Sequence, residues 1–338
     1  MTRSPYPPPP APTAGSRSRG PDDRGCVLGL DVGGTGMKGA VFDSAMNPLG
    51  SFHRPTPRAE GPGAVVAALT DALAALARTA AEHGRQIRHA GVVVPGIVDE
   101  DLQKAVWSAN IGWRDLPLAS LLRDRTGLPV TLGHDVRAGG LAEAALGAAR
   151  GARDTLFVAI GTGIAAAVVS DGRSVRAGGY AGELGHVVVE ADGDPCACGG
   201  TGCLETVASA SAVAAAYAAR TGRAVSGAAD VAALTERGDP AARAVWNRAA
   251  DALATALATA VTLFAPQTVV IGGGLAEAGR LLLDPVETGL GARLTFQRRP
   301  ALLRAELGDR AGCLGAGLVA WQEARRAPST APTGAPAS

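Results

Sequence analysis

Two segments of this chain share one layout, and that duplication constrains the fold more than any other feature. In the first, Cys26-Val27-Leu28-Gly29-Leu30-Asp31 is a short apolar strand that enters Val32-Gly33-Gly34-Thr35-Gly36-Met37-Lys38-Gly39 and returns through Ala40-Val41-Phe42-Asp43. In the second, Thr155-Leu156-Phe157-Val158-Ala159-Ile160 enters Gly161-Thr162-Gly163 and returns through Ile164-Ala165-Ala166-Ala167-Val168-Val169, about 128 residues further on. A dinucleotide fingerprint needs its glycine turn to open a helix, and a P-loop needs Lys followed by Ser or Thr. Here each turn leads into another strand, so neither motif is present. Each is a hairpin whose backbone N–H groups can face a phosphate, and Thr35 adds a hydroxyl donor. A third turn, Gly272-Gly273-Gly274, follows the strand Thr268-Val269-Val270-Ile271 and precedes a helix. A lone tight hairpin is common. Two of them plus a third loop predict a duplicated domain that closes on a nucleotide.

Between the turns, strands and helices alternate, which predicts mainly parallel sheets covered by helices. A helix is expected over about 64–83, followed by the strand Ala90-Gly91-Val92-Val93-Val94. The strand Pro129-Val130-Thr131-Leu132 runs through Gly133-His134-Asp135 into an alanine-rich helix ending at Leu146. Further long helices are expected at 204–219 and 239–264, and a last one near 311–324 that crosses back to the first domain. The expected fold class is α/β: a two-domain actin-like ATPase (ribonuclease H-like) fold, with a duplicated βββαβα plan and an interdomain cleft. The smaller N-terminal domain takes residues 25–134 with the C-terminal helix 311–325; the larger takes 135–310. Residues 1–24, rich in proline, and 326–338 read as disordered tails.

Composition narrows the function. A formal net charge of +1 argues against a general nucleic-acid or membrane-surface binder. The longest uncharged apolar run, 252–265, is too short to span a bilayer. The N-terminus lacks the apolar core of a secretory signal, so a cytoplasmic protein is expected.

The chemistry-bearing cluster is Glu183-Leu184-Gly185-His186, nine residues, then Cys196-Ala197-Cys198-Gly199-Gly200-Thr201-Gly202-Cys203-Leu204-Glu205. One imidazole and three thiolates match a closed tetrahedral zinc site, and the glycines let the backbone curl tightly enough to gather the sulfurs. The competing readings are a disulfide from Cys196 or Cys198 to Cys203, disfavoured by only five cysteines in 338 residues, and an iron–sulfur cluster, which wants a fourth thiolate. No ligand position is left open, so the zinc reads as structural. Glu183 and Glu205 bracket the ligands and would be fixed in space by the metal. Cys26 and Cys313 stand apart and read as buried small hydrophobes.

With these residues stated, the chain resembles sugar kinases of the repressor/open-reading-frame/kinase (ROK) family over nearly all of 27–324. The resemblance rests on Asp31-Val32-Gly33-Gly34-Thr35, Ser108-Ala109-Asn110-Ile111-Gly112-Trp113, Gly161-Thr162-Gly163, and Glu183-Leu184-Gly185-His186 with its cysteine segment. It implies transfer of the γ-phosphoryl of ATP, with Mg²⁺, to a monosaccharide hydroxyl, usually at carbon 6, glucose being the default acceptor. Asp135 resembles the family's catalytic base, against the bland reading that it merely caps the helix that follows. Asn110, His134, Asp135, Glu183, His186 and Glu205 are the implied sugar-binding set. His186 would bind zinc through one ring nitrogen and sugar through the other. Gly33, Gly34, Thr35, Lys38, Gly161, Thr162, Gly163, Gly272, Gly273 and Gly274 are the expected nucleotide-binding set, and Asp31 is the implied Mg²⁺ residue. Lys38 is equally well read as an exposed strand residue. Family members form homodimers or homotetramers, and the same assembly is expected.

The chain also departs from the family pattern. Where relatives carry Glu-Asn-Asp-Ala-Asn, it has Gly133-His134-Asp135-Val136-Arg137. The aspartate stays; the sugar-touching asparagine is His134, which leaves the sugar open between glucose and the N-acetylhexosamines. Gly34-Thr35-Gly36-Met37-Lys38-Gly39 is also similar to polyphosphate-using glucokinases of the family, but those lack the cysteine cluster, so ATP is the expected donor. Family repressors place a helix-turn-helix domain before the first strand. The short proline-rich tail here favours a kinase over a non-catalytic sugar sensor, and the zinc segment has no role in a chaperone-like ATPase.

Overall fold

In the computed structural model, which describes residues 24–326, the chain opens with three antiparallel strands, β1 Gly25–Val32, β2 Gly36–Phe42 and β3 Pro48–Pro55. The expected tails, apart from Arg24 and Arg326, lie outside these residues. Helix α1 (Pro62–Glu82) follows, with Pro62 in its first turn, where a missing N–H costs nothing. Its apolar residues recur at helical spacing, and Val65, Leu69, Leu73 and Leu76 are buried in the core beneath the first sheet. Each contributes roughly 2 kcal/mol relative to exposure. This helix is long and apolar enough to cross a membrane, but that stripe is occupied by the sheet.

Strand β4 (Gln86–Val94) lies parallel to β1. A small three-stranded sheet comes next, β5 Ile97–Asp99, β6 Lys104–Trp107 and β7 Arg114–Leu116. Helix α2 (Leu118–Thr126), closed by Gly127 in the left-handed conformation, leads to β8 (Val130–His134), parallel to β4. The first sheet is ordered β3-β2-β1-β4-β8.

The second half repeats this. Helix α3 (Asp135–Leu146) is followed by the antiparallel strands β9 Thr155–Ile160, β10 Ile164–Ser170 and β11 Arg173–Ser174. Helices α4 Leu204–Ala208, α5 Ala210–Thr221, α6 Ala228–Glu236 and α7 Pro240–Phe264 intervene. Then come β12 (Thr268–Gly272), α8 (Arg280–Arg293), β13 (Ala301–Arg304) and α9 (Ala311–Arg326). The order is β11-β10-β9-β12-β13, with the directions of the first sheet. The duplicated α/β plan expected from the two hairpins is present.

Local details differ from expectation for identifiable reasons. The helix expected over 204–219 is two helices. Ser209 has extended φ/ψ and its hydroxyl accepts from Ala212 N–H at 3.1 Å, so it ends α4 and caps α5. The third glycine turn is followed by a 3₁₀ stretch, Gly274–Ala278, before α8. Helix α7 starts where expected, because Asp239 caps it through Ala242 N–H at 2.9 Å and Pro240 follows. Helix α9 packs against β1, β4 and α3. At Gly91 its backbone approaches so closely that a Cβ would lie 2.0 Å from the carbonyl oxygen of Ala316, so only glycine fits.

Candidate active site

The parallel strands deliver their chemistry to one end of each sheet. In the first, Asp31 is paired with Val93, and Val94 with His134, so Asp31, Pro95-Gly96 and His134-Asp135 emerge side by side. In the second, Gly272 is paired with Ala159, which sets the turn 161–163 beside Gly272-Gly273-Gly274. Between the two ends lies a cleft of about 550 Å³. Asn110, His134, Asp135, Glu183, His186 and Glu205 line it together with Gly161 and Gly163. Asp31, Lys38, the first glycine turn and the third are not on its wall. Gly34 is nevertheless adjacent, since a Cβ there would sit 3.8 Å from Asn110 Cβ.

Each residue is held by a local device. The segment between β6 and β7 closes on itself through Gly112 N–H to Ser108 O (2.8 Å) and Ser108 N–H to Trp113 O (3.2 Å). Ile111 and Trp113 are buried in the first core, which leaves Asn110 exposed toward the cleft. Asp135 is the first residue of α3, and its Oδ1 accepts from Val136 N–H at 2.7 Å. His134 caps that helix: its Nδ1 accepts from Arg137 N–H at 3.3 Å. The ring proton is then on Nε2, which lies 3.5 Å from Asp135 Oδ1. Burial holds the His134 pKa below its ordinary value, which keeps the ring neutral. Nδ1 is thus taken by the helix, while Nε2 faces Asp135 in the cleft.

Asp31 is strongly perturbed. Burial, and then the charge of Asp135, push its carboxyl up to about 7. Lys38 opposes the shift but pairs at 3.0 Å with the exposed Asp309, as a surface strand residue would. A half-buried carboxyl within the field of a second carboxylate is a donor set suited to a hard divalent cation.

The cysteine segment folds into a knuckle. Cys196 N–H bonds Gly200 O at 2.8 Å, Gly199 N–H bonds Cys196 O at 3.0 Å, and the thiol of Cys198 is lowered in pKa by the N–H of Gly200. The ligand atoms of His186, Cys196, Cys198 and Cys203 all lie within 4.8 Å of one another. Zinc–sulfur bonds of about 2.3 Å and a zinc–nitrogen bond of about 2.05 Å at tetrahedral angles require edges of about 3.8 Å and about 3.6 Å. Cys198 and Cys203 sulfurs are 3.7 Å apart, and Cys196 Sγ is 3.6 Å from His186 Nδ1. The residues fit the metal. The other ring nitrogen, Nε2, lies 3.9 Å from Glu183 Oε2.

Cys203 immediately precedes α4, so the knuckle also fixes Glu205 in that helix's first turn. Glu205 Oε2 accepts from Ile164 N–H at 2.8 Å, just beyond the second glycine turn. The turn's carbonyls are held by the next helix, Gly161 O by Ala210 N–H (2.8 Å) and Thr162 O by Ser211 Oγ–H (2.5 Å). Acidic pocket and glycine turn are therefore one unit. Sequence reasoning missed Trp107 and Tyr180, which line the cleft at 43% and 63% exposure. A single aromatic carries no sequence signal that separates a site from a core.

Comparison with known proteins agrees with this geometry. The ROK family model matches residues 27–323. A glucokinase of Halalkalibacterium halodurans is 33% identical over 315 residues, spanning 88% of this chain and 95% of its own length. The ROK hexokinase of Thermus thermophilus superposes with a TM-score of 0.81 at 36% identity, covering 89% of this chain and 100% of that one. A ROK glucokinase from Streptomyces griseus, solved with glucose and AMPPNP, superposes with a TM-score of 0.72 at 29% identity, covering 88% and 99%. With the duplicated sheets, the glycine turns and the His-Cys knuckle in place, the chain belongs to the ROK family.

Proposed function

We propose that this protein is an ATP-dependent hexose kinase that transfers the γ-phosphoryl group of ATP to the 6-hydroxyl of glucose. One observation carries the reading: a single cleft gathers Asp135, the acids tied to the His-Cys knuckle, and the second glycine turn. The similarity to glucokinases over most of the chain supports the same acceptor.

Asn110, Glu183, His186 and Glu205 hold the sugar by its hydroxyls, His186 donating through Nε2 while Nδ1 faces the thiolates. Asp135 takes the proton of the 6-hydroxyl as the phosphorus–oxygen bond forms. Its carboxylate is held ready by the start of α3 and has one oxygen on Val136 N–H. The turns at Gly33-Gly34-Thr35 and Gly161-Thr162-Gly163, with Gly272-Gly273-Gly274, present backbone N–H groups to the nucleotide. Asp31 is the residue that would hold Mg²⁺, which would supply charge neutralisation at the phosphates of bound ATP. Structural Zn²⁺ would sit on His186, Cys196, Cys198 and Cys203.

The domain division is 25–134 with helix 311–325 against 135–310, with the cleft between. A cytoplasmic homodimer suits this assignment. Leu263, Phe264 and Phe296 are exposed at 70%, 48% and 87%, and a Gln297 to Thr262 hydrogen bond of 3.0 Å draws their segments together, an apolar surface for a second copy.

The test is ADP release from ATP over a panel of hexoses, including N-acetylglucosamine and N-acetylmannosamine, with polyphosphate as an alternative donor. Glucose with ATP is expected to turn over fastest. A preference for an N-acetylated sugar would transfer the reading to that acceptor, and ADP release independent of any sugar would end it.

A further inference from the structure

Arg137, two residues beyond Asp135, departs from the family pattern and is 2% exposed. Its side chain does not line the cleft. The guanidinium instead reaches two segments that adjoin the cleft wall, 98–100 next to Ile97 and 179–181 around Tyr180. Nε donates to Glu100 Oε1 at 2.9 Å, Nη2 to Val98 O at 3.0 Å, and Nη1 to Gly179 O at 3.2 Å and Ala181 O at 3.4 Å.

Val98 belongs to β5, whose neighbour Ile97 lines the cleft. Glu100 Oε1 also accepts from His134 N–H at 3.2 Å, which ties the same carboxylate to the residue before Asp135. Residues 179–181 contain Tyr180 of the cleft mouth and lead directly into Glu183. Glu100 Oε2 takes a separate partner, Arg176, at 2.8 Å. The strand and the loop approach backbone to backbone: a Cβ on Gly179, at φ +96°, would lie 2.4 Å from Val98 O. No layer of side chains separates them, so the carbonyls of Val98, Gly179 and Ala181 share one donor group. Removing it leaves buried acceptors unpaired and takes from Glu100 one of its two guanidinium partners.

We propose that Arg137 is a positioning residue: its guanidinium clasps β5 and the loop 179–181 to the start of α3, setting the separation between Asp135 and the Glu183–His186 segment. The proposal rests on Asp135 and Glu183 acting as described above. The fork shape matters as much as the charge. A lysine ammonium reaches Glu100 or the carbonyls, but its point geometry does not span all four acceptors.

The test uses the full chain with Arg137→Lys, Glu100→Gln as a second variant that keeps side-chain size, and Arg176→Lys as the control that leaves the clasp intact. Two readouts are taken. Hydrogen exchange without substrate is expected to speed about tenfold or more over 177–186 in Arg137→Lys and Glu100→Gln, with β1 and β9 unchanged. Steady-state kinetics are expected to show the hexose KM raised and kcat lowered, each by about tenfold or more, with the ATP KM within threefold of wild type. Arg176→Lys should match wild type in both. Exchange at 177–186 unchanged, or raised uniformly through the whole protein, overturns the clasp. So does an altered exchange pattern with unchanged kinetics. If wild type phosphorylates no hexose, the functional reading fails, and the exchange experiment still decides whether Arg137 holds the loop.

Discussion

Gly163→Ala probes the link between the acid pocket and the second glycine turn. An added Cβ would lie 2.5 Å from Glu205 Oε2 and 3.3 Å from its carboxyl carbon, well inside contact distance. The backbone of the turn cannot retreat, because Gly161 and Thr162 carbonyls are bonded to Ala210 and Ser211. Glu205 must therefore move, and the 2.8 Å bond it accepts from Ile164 N–H is lost or stretched. A hydrogen bond to a carboxylate is worth about 1.5–3 kcal/mol, and displacement of an acid proposed to hold the sugar adds to that. A loss of about 2 kcal/mol in transition-state binding is roughly a 30-fold fall in kcat/KM. Initial rates varied in both ATP and glucose measure it, with zinc content and melting temperature as controls for folding. The expected result is a fall for both substrates with the fold retained. Wild-type kcat/KM for both would refute the inference that Glu205 couples the two.

Three further outcomes follow from the site. Asp135→Asn keeps an oxygen for Val136 N–H but cannot take a proton, so kcat should fall by about 10²–10⁴ while glucose binding by calorimetry changes little. Normal turnover would remove the proposed base. Cys198→Ser takes one of the four proposed zinc ligands. Bound zinc by atomic absorption and the melting temperature should both drop, and full occupancy with an unchanged melting temperature would contradict a structural metal. Asp31 has a folded pKa of about 7, above its unfolded value, so in metal-free protein it stabilises at low pH, and that stability is lost as pH rises toward 7. Asp31→Asn should thus stabilise metal-free protein more at pH 8 than at pH 5, by about 2–3 kcal/mol, and abolish Mg²⁺-dependent turnover. An equal effect at both pH values would deny the burial of that charge.

Much of the fold was legible because its repeat is local: an apolar strand, a glycine turn and a returning strand need no long-range information. The knuckle was legible for the same reason, since four ligands fall within eighteen residues. Ser209 breaking a helix is a weaker signal, because serine inside an alanine-rich run reads equally as helix interior or cap. The small sheet β5–β7 was missed; its strands are three or four residues long. His134 is the instructive case. The sequence showed a departure from the family pattern at a sugar-facing position, but only coordinates show the ring capping α3 and facing Asp135. Arg137 was equally opaque, since its acceptors lie between 37 and 44 residues away along the chain.

Phosphoryl transfer from ATP to a sugar is the reaction on which every residue role above depends. Phosphorus NMR of ATP, Mg²⁺ and glucose incubated with the purified protein tests it directly. The prediction is ADP and a phosphomonoester on the 6-oxygen of glucose, formed in equal amounts. Inorganic phosphate in place of the ester, or no reaction with glucose or any other hexose, would contradict it.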